Sequence, residues 1–216
     1  MSRKATERRS SKMADILKLV PIILLWEAGA KYEMTDSKGK PYTLPLAKQW
    51  EYAVKKGYSN RPDDLGGPTF CGITLKTYKA YCKRKWKPTP SVYDLRRITL
   101  DIWIDVLRMF WDKMCADQIN NQSVANLCVD NVWGTGPAYI KQIQLVAGVT
   151  PDGIVGPKTI AAINGANQRD LFAKLVEKRR LFYLNLIMAK PGQSSNKNGW
   201  MNRLAYYKFE EGGDRR

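Results

Sequence analysis

Apolar residues recur at helical spacing over most of the chain. Met13, Ile16, Leu17, Val20 and Leu24 fall on one helical face after Ser11, with Pro21 placed to kink or restart that helix and Gly29 to stop it. Leu46, Trp50, Ala53 and Val54 form a second face that ends at Gly57. Thr74 is placed to cap a helix carrying Leu75, Tyr78 and Cys82, and Ser91 with Asp94 spells a capping box. Thr99 precedes a helix with Ile102, Val106, Phe110 and Met114 at every fourth position. Ser123 is placed to cap a further helix through Asp130, and helical patterns resume at 137–147, 157–164, 169–188 and 199–209. Between them, residues 35–45 read as a loop or hairpin, and residues 59–74 carry too many turn residues for a long helix. Asp152 to Pro157 reads as a tight Asp-Gly turn with a proline opening the next helix. Residues 1–11 are polar and charged, a frayed arm. No series of strands, no helix–strand alternation and no internal repeat is present, so the predicted class is mainly α.

The composition supports a real core: 44% of the 216 residues are hydrophobic, including seven Trp and eleven Tyr. A formal net charge of +16 draws the protein to polyanions such as nucleic acid, anionic lipid or an acidic bacterial wall, without choosing among them. The basic residues are mostly scattered, which is the pattern of a solvated surface, and no nucleic-acid recognition module accompanies them, so no specific nucleic-acid partner is expected. No apolar stretch is long enough to span a bilayer, and a transmembrane segment is not expected. The front of the chain imitates the three regions of a signal peptide. Asp15, Lys18, the proline inside the apolar run and Glu27 at its end argue against that reading.

The absence of histidine changes the picture most, because it removes His-based triads, His general bases and His zinc ligands together. Cys71, Cys82, Cys115 and Cys128 show no C-x-x-C spacing and read as buried free thiols. No calcium-loop spacing is present, so neither a metal nor an organic cofactor is expected. Acid–base chemistry then falls to carboxylates, and glycoside hydrolysis is the reaction class that runs on them. One carboxyl group must stay protonated. Raising a Glu from about 4.3 to about 6 in an apolar pocket lifts its protonated share at pH 7 from roughly 0.2% to roughly 10%. Glu27, following Leu25 and Trp26 at the end of an apolar helix, is either such an acid or the point where a core helix meets water. Asp63 and Asp64 before Gly66-Gly67 form either a turn that aims a carboxylate into a cleft or an ordinary polar turn.

The segments Trp26-Glu27-Ala28-Gly29, Gly57-Tyr58-Ser59-Asn60, Pro62-Asp63-Asp64-Leu65-Gly66-Gly67-Pro68-Thr69 and Gly72-Ile73-Thr74 resemble glycoside hydrolase family 108. In the second half, Asp130, Trp133-Gly134, Gly136-Pro137, Gln142, Gln144, the stretch 152–159, Arg179-Arg180 and Gly199-Trp200-Met201-Asn202-Arg203 are similar to the predicted peptidoglycan-binding domain that usually follows in that family. The resemblance implies a lysozyme-like helical fold and an N-acetylmuramidase that cleaves the β-1,4 bond between N-acetylmuramic acid and N-acetylglucosamine. It makes Glu27 the general acid, with Asp64 or Thr69 holding the attacking water or stabilising the transition state. It places Tyr58, Asp130 and Trp133 among substrate-binding residues, with peptidoglycan glycan strands as the partner of a monomeric protein. Family members are bacterial or phage enzymes, of the endolysin kind. Some have been labelled secretion activators, so a non-catalytic peptidoglycan-binding or secretion-related role is the alternative. The expected site of synthesis is the cytoplasm, without a clear signal peptide, and the expected site of action is the cell wall.

Two departures stand out. Ala28 replaces the first Gly of the family motif, and residues 30–56 separate Glu27 from Tyr58, where the family has almost nothing between. The expected organisation is therefore an arm at 1–11, a lysozyme-like catalytic region at 12–118 with an insert at about 30–56, and a peptidoglycan-binding region at 119–216. The insert's helix is expected to pack on the catalytic region through Trp50, and its preceding loop to border the glycan groove.

Overall fold

The apolar run after Asp15 folds in two steps. Asp15 accepts a hydrogen bond from the Leu17 amide and opens a short 3-10 turn, Ile16–Lys18. Pro21 then sits in the first turn of helix α1 (Val20–Ala28), where its missing N–H costs nothing, so it restarts the helix rather than kinking it. Gly29, at φ 59°, closes α1 in the left-handed conformation. Leu19, Val20, Ile23 and Leu24 are wholly buried, each such side chain contributing about 1.5–3 kcal/mol on leaving water. In the folded chain this segment is a core helix. This is a computed structural model, and it describes residues 13–60 and 67–211. The expected arm at 1–11 lies outside the described residues, as do Asp63 and Asp64.

The mainly α expectation holds, with ten α-helices among the described residues. The insert folds as a hairpin and a helix. Strands β1 (Glu33–Thr35) and β2 (Pro41–Thr43) pair antiparallel around a turn in which the Asp36 carboxylate accepts from the Lys38 and Lys40 amides at 2.8 and 2.9 Å. Helix α2 (Leu46–Lys56) packs along α1. Ala53 and Gln49 are buried, the Gln49 amide donates to the Leu44 carbonyl at 2.7 Å, and Trp50 meets Phe70 and Trp103 at ring distances of 6.2 and 6.3 Å. The helix of the insert is thus part of the core, while the hairpin is exposed.

A small sheet then follows that the sequence pattern does not predict: β3 (Tyr58–Ser59), β4 (Thr69–Phe70) and β5 (Ile73–Thr74), antiparallel in that order. Two-residue strands are too short to show alternation. Thr74 caps α3 (Leu75–Arg84) as expected, the Ser91–Asp94 capping box opens the short α4 (Val92–Leu95), and Thr99 caps α5 (Leu100–Lys113).

Along α5 the buried face is centred on Trp103, Leu107 and Trp111 rather than on the expected stripe. Val106 and Met114 of that stripe are wholly buried, but Ile102 and Phe110 lie at its edge. The indoles can occupy the centre because each finds a partner: Trp103 donates to the Cys71 carbonyl at 2.9 Å, and Trp111 to Asp117 at 2.6 Å. Helix α6 (Gln122–Thr135) is capped by Asn121, not Ser123. Asn121 accepts from the Val124 amide at 3.1 Å, while the Ser123 hydroxyl, already inside the helix, accepts from the Glu210 amide.

Residues 123–132 of α6 are all buried, with α5 against one side and α9 (Gln168–Ala189) against the other. Helices α7 (Ile140–Ala147), α8 (Pro157–Gly165) and α10 (Lys197–Tyr206) complete the second half. One hydrophobic core, from Ala14 to Tyr207, runs through the whole and continues across residue 118. Among the described residues no helix is long and apolar enough to cross a membrane.

All four cysteines are free, and burial pushes the thiols of Cys71 and Cys128 up to about 12. Thiolate is the reactive form, so in native protein at pH 8 Cys71 and Cys128 should resist a thiol reagent. After denaturation without reductant all four cysteines should titrate, as counted by absorbance. Fewer than four would reveal a disulfide.

Candidate active site

Glu27 sits in the last turn of α1, and three different parts of the chain converge on its carboxylate. The β4–β5 turn comes first. Gly72, at φ 81°, lies so close that a Cβ there would stand 2.7 Å from Glu27 Cβ and Cγ and 2.9 Å from Oε2. Only glycine satisfies both the backbone angle and the space, which is why Gly-Ile-Thr follows the turn. Helix α6 supplies the second contact: the Trp133 indole donates to Glu27 Oε1 at 3.1 Å. Helix α10 supplies the third, the guanidinium of Arg203, which donates from Nη1 to the same oxygen.

Arg203 is shared. Its Nε and Nη2 donate to Asp130 Oδ1, the former at 3.2 Å. The Asp130 side chain is only 5% exposed, against 21% for Glu27. Burial opposes the charge on Arg203, but the carboxylates of Asp130 and Glu27 outweigh it and hold the guanidinium well above its ordinary range. The environment of Glu27 is therefore not the apolar pocket that Leu25 and Trp26 suggest. Trp26 packs edge-on against Tyr206 at 5.8 Å, and the Glu27 carboxylate meets an indole N–H and a cation.

The helix carrying Trp133 is braced from behind. Arg179 of α9 is buried among the rings of Tyr139, Phe182 and Tyr183, at 5.0, 5.4 and 4.4 Å, and donates to the Asn131 carbonyl in the closing turns of α6. A cation at a helix C-terminus is favoured by the dipole, and aromatic faces offset its burial. Gly134 leaves the space this needs, since a Cβ there would stand 2.9 Å from the Arg179 guanidinium. Trp133 is held from the front by Phe110 and Trp103, at 5.0 and 5.8 Å, and α10 is held on α9 by the stacking of Trp200 on Tyr183 at 4.7 Å.

Of the expected site residues, Glu27, Trp133 and Asp130 are brought together. Asp130 lies inside, engaged with Arg203, and does not present its carboxylate to solvent. Thr69 and Tyr58 belong to the small sheet that carries Gly72 to Glu27. The Thr69 hydroxyl donates to the Gly67 carbonyl at 3.0 Å, and the half-buried Tyr58 ring lies under Arg96 at 4.6 Å. Asp64 falls outside the described residues. Arg203 is the residue that sequence reasoning passed over as a site group. The available signal was only the motif in which Arg203 stands; its carboxylate partners lie too far along the chain to be read from spacing.

Known proteins supply an independent measure. The family model described as Glycosyl hydrolase 108 matches residues 50–136, and the one described as Predicted Peptidoglycan domain matches residues 138–205. These are the families that the motifs resemble, and the architecture is the mainly α, lysozyme-like one expected of them. Among solved structures, "Structure of Brucella abortus SagA" is similar at 28% identity with a TM-score of 0.60, covering 74% of this chain and 88% of that one. A search of curated proteins gave no match. The combination is that of a peptidoglycan hydrolase acting at the cell wall. The two matches meet at residues 136–138, inside the expected second region, and Glu27 precedes the first of them.

Removing Arg203 strands a buried carboxylate. Arg203→Met should lower stability by about 3–5 kcal/mol, the range for breaking a buried pair. Asp130→Leu in the same chain should recover most of that loss, because no buried charge is then left unpaired. Urea unfolding of both variants checks this, and a double variant no more stable than the single one would argue against it.

Proposed function

We propose that this protein is an N-acetylmuramidase that cleaves the β-1,4 bond between N-acetylmuramic acid and N-acetylglucosamine, with Glu27 as the general acid. The observation that carries the reading is the convergence on Glu27 of the sheet turn at Gly72, Trp133 and Arg203. Two carboxylates face one guanidinium, so the cluster carries one excess negative charge when both are ionised. Of the two carboxylates Glu27 is the one that solvent reaches. Trp133 fixes one oxygen by its N–H, which leaves the other free to deliver a proton to the leaving oxygen. Developing positive charge on the sugar falls to the segment after Tyr58. Asp64 and Thr69 hold the attacking water or stabilise the oxocarbenium-like state there, and Tyr58 contacts the glycan. In this reading Asp130 acts through Arg203 rather than by touching sugar.

The ion pair between Glu27 and Arg203 favours a second reading, in which the site is locked and the protein binds wall polymer without turnover. Digestion of purified sacculi separates the two. The proposed activity releases fragments whose new reducing ends are N-acetylmuramic acid. Glu27→Gln keeps the volume but removes the acid, and should lower the rate at least about 10²-fold while the chain still folds, as circular dichroism checks. Near-full activity in that variant would take Glu27 out of the mechanism, and no release by the parent would favour the locked reading.

Asp64→Asn and Thr69→Ala should each slow release more than they weaken binding to sacculi, as a pull-down assay compares. A variant that mainly unfolds would assign that position to the turn instead.

A further inference from the structure

Beside Trp133 lies a groove of about 560 Å³ between α3 and α5. Its apolar floor is Met109, Phe110 and the Trp133 ring, and its rim carries Lys76, Arg84 and Lys113, all exposed. Among the described residues no carboxylate lines it. The indole whose N–H holds Glu27 Oε1 is the same ring that forms the floor, so the groove begins one side chain away from the proposed acid. Three cations beside an aromatic floor have nothing to recognise in the sugar chain itself, because its N-acetylated sugars carry no charge while the lactyl carboxyl group is bound to the peptide as an amide. In peptidoglycan the charge resides in the peptide attached to the lactyl group, with its free carboxylates and short aliphatic side chains.

Resting on the proposed muramidase reading, we infer that this groove is a subsite for the anionic peptide stem, and that the protein is selective for peptide-substituted glycan over bare glycan. The carboxylates meet Lys76, Arg84 and Lys113, and the aliphatic side chains lie on Met109, Phe110 and Trp133. Contacts between exposed charges are individually weak, so selectivity needs all three together.

The test compares two substrates: sacculi with their peptides, and peptide-free glycan strands made from the same sacculi by amidase digestion, with the lactyl carboxylates that digestion frees capped as methylamides. The triple variant Lys76→Glu/Arg84→Glu/Lys113→Glu should lose about tenfold in kcat/KM on the peptide-bearing substrate, chiefly through KM, and remain unchanged on the peptide-free one. A control carrying Lys56→Glu/Lys174→Glu/Lys190→Glu has the same net charge and should keep the preference. Equal losses on both substrates, no loss on either, or the same loss in the control would overturn the subsite. Should charge reversal unfold the chain, Lys76→Gln/Arg84→Gln/Lys113→Gln answers the same question. If the parent hydrolyses neither substrate, the muramidase reading fails. The subsite is then judged by calorimetry with a soluble disaccharide–peptide and the same disaccharide with its lactyl group capped as a methylamide. Binding of the former alone, weakened in the triple variant, supports it, and equal or absent binding of both refutes it.

Discussion

One guanidinium holds this structure to its purpose. Arg203 is donated by α10, pairs with Asp130 in the middle of the buried α6, and touches Glu27 at the end of α1, across 176 positions of sequence. A buried cation is tolerable only if its charge is met, and here two carboxylates meet it from opposite ends of the chain. The remaining architecture follows from keeping that meeting point in place: Trp200 stacked on Tyr183 fixes α10, and Arg179 among three rings fixes the end of α6. The small sheet then brings Gly72 against Glu27 from the other side.

The expected insert, residues 30–56, does not stand apart from this centre. Helix α2 does not project. It lays Ala53 and Gln49 against α1 and sets Trp50 between Phe70 and Trp103. Trp103 also donates to the Cys71 carbonyl, in the turn that carries Gly72. The added helix therefore supports the same turn that confronts Glu27, and only its hairpin is left to solvent, at the mouth of a cavity shared with Tyr206.

Most of the helices were legible because amphipathic spacing and caps act locally. Thr74, Ser91 and Thr99 cap what they were expected to cap, and Pro21 and Gly29 punctuate α1 as their backbones require. Local reasoning failed where two residues competed for one task. Asn121 took the cap expected of Ser123, and the face of α5 turned toward Trp103 and Trp111 because hydrogen-bonded indoles fill the centre best. The three-stranded sheet was invisible because its strands are shorter than one period of alternation. At the site, Glu27 and Trp133 could be named from motifs, but the cation between Glu27 and Asp130 could not be read from either neighbourhood. Pairing across such a distance leaves no trace in spacing.

Arg203 lies inside the stretch that matches the peptidoglycan-domain model, whereas Glu27 lies before the stretch that matches the hydrolase model. The two stretches are therefore joined by a charged contact and are not physically independent. A recombinant that joined this α1 to an unrelated wall-binding tail would leave Glu27 facing an empty place where a cation belongs. Residues 27, 130 and 203 thus act as one charged unit although they lie in three different segments of the chain.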